Sequence, residues 1–582
     1  METKIYSESS VTDSPLLLER PKGAKVFTSR VFDGFRSGPE REFAETTGHG
    51  AKNGKRFYIS EAANYNTAHT SLSRRLKGRH LQMIAIGGSI GTGLFIGSGS
   101  ALQQGGPASL LAAFILIGAI LYCIVQALGE MAVTFPVSGS FCAFTTRFVD
   151  PAWGFAQGWN YAMNWLFVMP LEIMAAAITL EFWDSGIPPF ASVTIFLSFI
   201  IAINLSSIKV FGEAEYIFSI IKVTAIIGFI ILGVVINCGG GQDEGYIGGK
   251  YWVAPGAFND GFKGFCAILT TAAFSFSGTE MVGLAAAETY NPSKSLPGAI
   301  KQTFWRITLF YIVSIVVIGL LVPSTSPQLV GRNDVDAKAS PFIIAITGAG
   351  IQGLDSVMNV IVLISVLSVA NSSMFASSRT LVALAEQGQA PQFLAKTDRK
   401  GRPLYAIAFA SAVGLLAYLY ATPIQGPAFT WLLALAGLSA IFNWLSIAAA
   451  HIKFRKAWAD QGYTASDLIY TSPVGAYGSW GSVIALVFVL AAEFWTAIAP
   501  RGYQDFSAVE RLSYFFETFL ALPVVLLCYI GYKLTYRTSW VRIQDIDLQT
   551  GRNAHESDIV RQRWKDERSE WPRWKKIYHT LC

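Results

Sequence analysis

The chain is poor in charge. Only 14% of its 582 residues are Asp, Glu, Lys or Arg, against roughly 25% in a soluble globular protein. Hydrophobic residues make up 52% and the mean hydropathy is +0.40. So few charges cannot cover a water-facing surface of this size, and the deficit points to a polytopic membrane protein. Cysteine is scarce too: the six are Cys123, Cys142, Cys238, Cys266, Cys528 and Cys582. Most sit in apolar segments and none form a CxxC pattern, so they read as packing residues and not as a disulfide or metal framework. No Gly-Lys-Ser/Thr follows a glycine-rich stretch, which excludes a phosphate loop, and no soluble βαβ context supports a dinucleotide turn. The soluble segments hold no nucleophile–base pair and no metal cluster. An enzyme is therefore not expected, nor is a cofactor, a metal or a nucleic-acid partner. Residues 1–20 are polar, and Leu16-Leu17-Leu18 is too short for a secretory core. The first spanning segment is expected to direct insertion.

Apolar runs of about 18–25 residues, the length that crosses a bilayer, fill the rest. They lie at 81–103, 108–133, 154–179, 188–206, 214–237, 261–287, 303–322, 341–370, 404–421, 428–450, 480–499 and 513–533. Twelve helices place both ends of the chain on one side. The domain layout expected is a mostly disordered polar tail over 1–79, a twelve-helix domain over 80–534, and a tail over 535–582. The helix that begins at 341 is expected to continue past the bilayer over 376–386, stopped by Gly388-Gln389-Ala390-Pro391. The last tail carries Trp564, Trp571 and Trp574, which fit either a membrane surface or partner, or a solvated amphipathic helix.

Loop charge tests this layout. Loops on the tails' side carry twelve basic residues: Arg147, Lys209, Lys294, Lys301, Arg379, Lys396, Arg399, Lys400, Arg402, Lys453, Arg455 and Lys456. The opposite loops carry five: Lys250, Arg332, Lys338, Arg501 and Arg511. Arg74, Arg75, Lys77 and Arg79 abut the first span. The excess assigns both tails to the cytoplasm.

Two of the apolar runs are interrupted. Gly87-Gly88-Ser89-Ile90-Gly91-Thr92-Gly93 breaks the first, and Phe274-Ser275-Phe276-Ser277-Gly278-Thr279-Glu280 breaks the sixth. A broken membrane helix frees N–H and C=O groups that lipid cannot satisfy, so each break must face protein or a watery cavity. Glycine pairs also let helices pack closely. Two clusters about five helices apart favour a transport site over packing alone. The first break creates a helix N-terminus near mid-membrane, suited to a carboxylate. The second offers carbonyls to an ammonium group. Together they suit an amino-acid zwitterion, though the physics also admits other small zwitterions and cations.

Ionisable residues inside spans are costly and mark candidate sites. Glu172 lies deep in the third span, Glu280 closes the second break, and Lys222 lies about 12 Å from the inner end of the fifth span at 1.5 Å per residue. Lys222 could instead snorkel to headgroups. Glu130, Glu493 and Glu517 read as structural or interfacial, and Asp355 lies in the first half of the eighth span. Phe274 and Phe276 fit either packing or a lid over a bound side chain.

The stretch from Arg79-His80-Leu81 through Gly93-Leu94-Phe95 resembles the first helix of fungal amino-acid permeases, the yeast amino-acid transporter branch of the amino acid–polyamine–organocation superfamily. Gly212-Glu213-Ala214-Glu215-Tyr216, the region 274–288 and His451-Ile452-Lys453-Phe454-Arg455 are similar to the same family. The resemblance runs from about residue 72 to the end of the chain. Asn160-Tyr161-Ala162-Met163-Asn164-Trp165, Pro170-Leu171-Glu172, the region 431–438 and Asp545-Ile546-Asp547 with Thr550-Gly551-Arg552 look closest to its broad-specificity members. The sequence from 571 onward fits the family's aromatic C-terminus only loosely.

The resemblance implies an all-α fold with a five-plus-five inverted repeat, broken helices 1 and 6, and two extra helices. It implies import of L-amino acids with protons across the fungal plasma membrane. Substrate would be held by Ser89, Ile90, Gly91, Thr92, Gly93, Asn164, Glu172, Phe274, Ser275, Phe276, Ser277, Glu280 and Ala436, and protons would couple through Lys222 and Glu280. Lys222 matches the helix-5 lysine that stands where sodium-coupled relatives hold an ion. Ubiquitin-ligase machinery is the partner implied for the tails, with Lys4, Lys22, Lys25, Lys52 and Lys55 as candidate acceptors. Two alternatives remain at this point: a sensor of the same fold that transports little, and a permease restricted to proline, basic amino acids, GABA or a polyamine.

Overall fold

The computed structural model describes residues 35, 38, 42–49, 56–184, 186–240, 245–330, 340–351, 353–500, 504, 506–552 and 571–572. Lys4, Lys22, Lys25, Lys52, Lys55, Arg332, Lys338, Arg501, Trp564, Trp574 and Cys582 lie outside them, as does the side chain of Glu517.

The described chain is helical apart from one hairpin, β1 (Thr47–His49) paired antiparallel with β2 (Arg56–Tyr58). Ten of its helices are long and apolar enough to cross a bilayer, or eleven if one bent pair counts as a single span. The first of these runs continuously over Gly78–Thr134, 57 residues. It contains α2 (Gly78–Ser89), a π-helical turn at Gly93–Gly97 and α3 (Ser98–Thr134). At 1.5 Å per residue it would reach roughly 86 Å, far more than the ~30 Å of hydrocarbon. It bends inside α3 at Gly106, whose φ of 78° and ψ of 169° are open to glycine, followed by Pro107, which has no N–H for the ladder.

After α4 (Phe141–Phe148) comes α5 (Pro151–Leu180), started by the Asp150 carboxylate, which accepts from Ala152 N–H at 2.8 Å, and by Pro151 at the first helical position. The next two are α6 (Pro189–Ser206) and α7 (Ile208–Val235). The second interrupted run is α8 (Gly261–Ala267), α9 (Leu269–Phe276) and α10 (Met281–Leu284). It is followed by α11 (Pro292–Leu321), α12 (Pro341–Gly348) and α13 (Leu354–Glu386). The remainder are α14 (Leu404–Gly414), α15 (Gln425–Asp460), α16 (Gly475–Ile498), α17 (Ala508–Phe519) and α18 (Ala521–Tyr536), the last two forming the pair bent by 63°.

Depth in the bundle follows the pattern of small and polar residues. In the apolar 18-residue stretch of each span, 78% of residues are buried in Pro151–Trp183 and 72% in Leu354–Glu386, but only 33% in Ile208–Gly240. The first two pack on each other and on the broken spans at the centre, and α7 turns most of its apolar surface outward. The run expected as one helix from 341 is broken between Gly348 and Leu354, where Gly350 and Gly353 take φ of +72° and +81°. α13 then runs on to Glu386, and Gly388, at φ +70°, turns the chain there.

The expectation of a mostly disordered segment up to residue 79 does not hold for 56–79. Besides the hairpin there is α1 (Ser60–Ala68). Tyr58 Oη donates to Gln387 O at 3.0 Å, Thr70 Oγ1 to Glu386 Oε1 at 2.7 Å, and Asn64 Nδ2 to Asp547 Oδ2 at 3.1 Å. These hydrogen bonds, with the buried side chains of Leu72 and Leu76, hold the segment to other parts of the chain. The stretch after α18 is also seated on the bundle. Val541 N donates to Val149 O at 3.0 Å, Arg147 Nη1 to Thr550 O at 3.0 Å, and Arg552 lies 4.8 Å from both the Trp458 and Tyr463 rings. Burial lowers the Arg147 guanidinium to about 10, with Asp547 opposing the shift. Burial would raise Asp547, but the Thr550 and Gln549 N–H groups and Arg147 hold it below its ordinary value.

Candidate functional site

Each break is a glycine solution to a close approach. In the first, α2 ends at Ser89, Ile90 is extended at φ −84° and ψ 97°, and helical winding resumes by Gly93. In the second, Ser277 is extended at φ −58° and ψ 143°, and Gly278 takes φ +100°. The two breaks touch. A Cβ on Gly278 would stand 2.4 Å from Gly88 O, and one on Gly93 would stand 2.6 Å from Ser275 Cα, both far inside contact distance. Tyr311 of α11 ties them together: its hydroxyl lies 2.7 Å from both Ser89 O and Ser275 O.

The carbonyls freed at the first break are taken by Lys222. Its Nζ donates to Gly87 O at 2.8 Å and Ile90 O at 2.9 Å, and the side chain is fully buried. A cation thus sits at the C-terminal, partially negative end of α2. The snorkelling alternative is excluded by these bonds. On the other side of the break Thr92 Oγ1 donates to Glu172 Oε1 at 2.6 Å, and Glu172 Oε2 has no hydrogen-bond partner.

A hollow opens beside these groups. It is lined by Gly88, Ser89, Gly91, Thr92, Gly93, Trp165, Val168, Glu172, Phe274, Ser277 and Val369. Its cavity volume is about 10 Å³, room for a single ordered water. One wall carries the start of the second half of the first span, whose leading N–H groups have no intrahelical acceptor. The other walls are the free carboxylate oxygen of Glu172 and the apolar faces of Trp165, Val168, Phe274 and Val369.

Of the residues the sequence points to, Ser89, Gly91, Thr92, Gly93, Glu172, Phe274 and Ser277 are brought together here. Ile90, Asn164, Ser275, Phe276, Glu280 and Ala436 do not line this hollow. The Ile90 side chain is buried in the apolar core and only its carbonyl reaches Lys222. Ser275 Oγ bonds back to Thr271 O at 2.9 Å. Phe276 stacks on Tyr311 at 4.6 Å and packs against Phe114 at 5.6 Å. Glu280 folds back on its own break, accepting from Gly278 N at 3.2 Å and from Trp444 Nε1 at 3.4 Å. Ala436 is buried on α15, and Asn164 is buried with Oδ1 unpartnered, on the turn before Val168.

The structural readings of two other carboxylates agree with their surroundings. Glu130 accepts from Ser472 N at 2.7 Å, Arg455 Nη2 at 2.8 Å and His451 Nε2 at 3.2 Å, and Glu493 accepts from Thr270 N at 2.9 Å. Two groups escaped the sequence reading. Tyr311 had no signal beyond being a tyrosine in a span. Glu215 did: it sits seven residues before Lys222, two turns away on the same face of one helix. It is fully buried and accepts from Ser368 Oγ at 2.7 Å and Asn371 Nδ2 at 2.6 Å.

Comparison with known proteins places this geometry among transporters. The family model described as amino acid permease matches residues 80–544. The general amino-acid permease GAP2 of Candida albicans is 52% identical over 523 residues, 89% of this chain and 88% of that protein. The general amino-acid permease GAP1 of Saccharomyces cerevisiae is 49% identical over 529 residues, 89% of this chain and 87% of that protein. The S-adenosylmethionine permease GAP4 of Candida albicans is 43% identical over 568 residues, 97% of this chain and 91% of that protein.

Proposed function

We propose that this chain, which belongs to the amino acid permease family, imports amino acids of many kinds across the fungal plasma membrane together with protons. The family consists of membrane transporters, not enzymes, and relatives named general amino-acid permeases support broad specificity. The observation that carries the reading is the hollow at the two touching breaks. It joins the N-terminal end of a half-helix, a buried carboxylate oxygen without a partner, and an apolar wall.

In this reading the substrate carboxylate meets the N–H groups at Gly91, Thr92 and Gly93. Its ammonium meets Glu172 Oε2 and the carbonyls of the second break. Its side chain lies toward Trp165, Val168, Phe274 and Val369, with Asn164 and Ala436 bordering the path when the site widens. The wall adds no charge beyond Glu172, so neutral side chains are accepted and basic ones tolerated. A free amino acid exceeds the present hollow, so binding must part the surrounding helices.

The twelve-span topology belongs to the same proposal. Ten long apolar helices become eleven when Gly78–Thr134 is divided at its Gly106 bend, and twelve when the bent pair α17–α18 counts as one span. A five-plus-five inverted repeat then pairs the first and sixth spans, the two that are broken. Twelve basic residues against five support a cytoplasmic side for both tails, where ubiquitin-ligase machinery would meet the lysines outside the described residues.

A narrower permease is the second reading, favoured by the GAP4 relative, whose name specifies a single substrate. The test is uptake of leucine, proline, glutamate and arginine by the purified chain in proteoliposomes at two external pH values. Entry of several of them, falling as external pH rises, is expected. Strict selectivity for one, dependence on sodium without dependence on pH, or no uptake at all, as from a sensor, overturns the proposal.

A further inference from the structure

The proton-coupling reading assigns Lys222 a role and leaves Glu215 without one. Both are fully buried, as is Glu172. Three ionisable groups therefore flank the first break, away from water: one ammonium and two carboxylates. With all three ionised the cluster holds a net negative charge in a low-dielectric interior, which is costly. The charges cancel when one carboxylate carries a proton, and the two carboxylates stand at opposite ends of the cluster.

Lys222 lies between those ends. It bonds Ile90 O on the side where Thr92 meets Glu172, and Gly87 O on the other. Ser368 Oγ lies 2.7 Å from Glu215 Oε2 and 3.5 Å from that same Gly87 O. Glu215 rests against the first span itself: a Cβ on Gly87 would stand 2.2 Å from its Oε2. Behind Glu215, Asn371 Nδ2 donates to it and Asn371 Oδ1 accepts from Asn204 Nδ2 at 2.8 Å. Several other charged or titratable groups on the packed helices have partners of their own. Arg79 and His80 of α2 engage Glu213, Arg379 of α13 engages Glu288, and Tyr311 of α11 bonds the two break carbonyls.

We propose that Glu215 is the inward proton acceptor of the transport cycle, taking from Lys222 the proton that enters at Glu172. The inference rests on the proton-coupled reading above. The transfer balances. An N–H bond of the Lys222 ammonium breaks first as an O–H bond forms on Glu215. The neutral amine so left then takes the proton of Glu172, whose O–H bond breaks as the new N–H bond forms. Lys222 ends as the ammonium it was, the cluster charge is unchanged, and Glu215 then releases the proton to cytoplasmic water once the helices part on that side. Ser368 acts as a positioning residue, holding the Glu215 carboxylate beside the Gly87 carbonyl that Lys222 must leave.

The test uses the full chain in proteoliposomes with labelled leucine. Two measurements are made on the wild type, Glu215→Gln and Ser368→Ala: leucine exchange without a proton gradient, and gradient-driven accumulation with proton entry followed by an internal pH dye. Glu215→Gln is expected to keep exchange within about twofold while accumulation falls at least ~10-fold and leucine-linked proton entry stops. Ser368→Ala is expected to keep exchange and shift the pH midpoint of accumulation. Wild-type accumulation and proton entry in Glu215→Gln overturn this proposal alone. A wild type that moves leucine without protons overturns the coupling reading as well. Should Glu215→Gln lose exchange too, Ser368→Ala decides: an unshifted midpoint overturns the assignment.

Discussion

At the first break, the carbonyls of Gly87 and Ile90 are satisfied by an ammonium from α7, and Thr92 is held by a carboxylate from α5. At the second, the Gly278 N–H is satisfied by Glu280, two residues on in the same chain, and Trp444 steadies that carboxylate. The first break depends on groups from helices that can move relative to it, and those groups can exchange protons. The second carries its own cap. A broken membrane helix needs its polar backbone satisfied in either case. Both breaks also lean on neighbouring helices through Tyr311 and Trp444, but only at the first do the partners from other helices include ionisable Lys and Glu side chains. Substrate and protons would therefore act chiefly on the first break, with the second as the rigid wall against which it moves.

Substitutions can break this contrast. The largest effect is expected for Gly278→Ala. The added Cβ would stand 2.4 Å from a backbone oxygen, at φ +100°, so neither neighbour nor backbone can give way. The variant should fail to reach the membrane in folded form, read as loss of the monodisperse peak on size-exclusion chromatography. Gly91→Ala meets side chains instead: Val369 Cγ2 at 2.5 Å and Glu172 Oε1 at 3.3 Å. Those can shift, so the protein should be made and delivered while the substrate surface is filled. Uptake should vanish with surface amount unchanged, and normal uptake would show that the break does not hold substrate.

Lys222→Met leaves two buried carbonyls without a donor, at about 1–3 kcal/mol each. Gradient-driven accumulation should fall at least ~10-fold, the factor that about 1.4 kcal/mol produces, whereas wild-type accumulation would reduce Lys222 to a brace. The smallest effect is expected for Glu280→Gln. The amide oxygen can still accept from Gly278 and Trp444, so uptake and its pH profile should stay within about twofold of wild type. A lost or shifted profile would return Glu280 to the coupling role that its place in the sequence suggests, and would erase the contrast between the breaks.

Much of this molecule is determined locally. Long apolar runs with few charges dictate spanning helices, since nothing else satisfies a backbone in lipid. Glycines at 87, 88, 91, 93 and 278 marked both interruptions, because only glycine tolerates such approach and, at Gly278, such a φ. Lys222 and Glu172 announced themselves as ionisable residues deep in apolar sequence. Tertiary structure decided which of these meet. A motif cannot say that Phe276 turns to Tyr311 while Phe274 turns to the hollow, or that Glu280 folds back on its own break, because those choices depend on neighbours in other helices, such as Tyr311 and Trp444. Nor did α1 and the stretch after α18 show a long periodic apolar face, since they are held by scattered hydrogen bonds to distant partners and, after α18, by isolated buried residues such as Ile546 and Leu548. The span count was blurred for a related reason: a helix can bend at Gly106 or at the α17–α18 junction without ending, so apolar length and geometric continuity divide the chain differently.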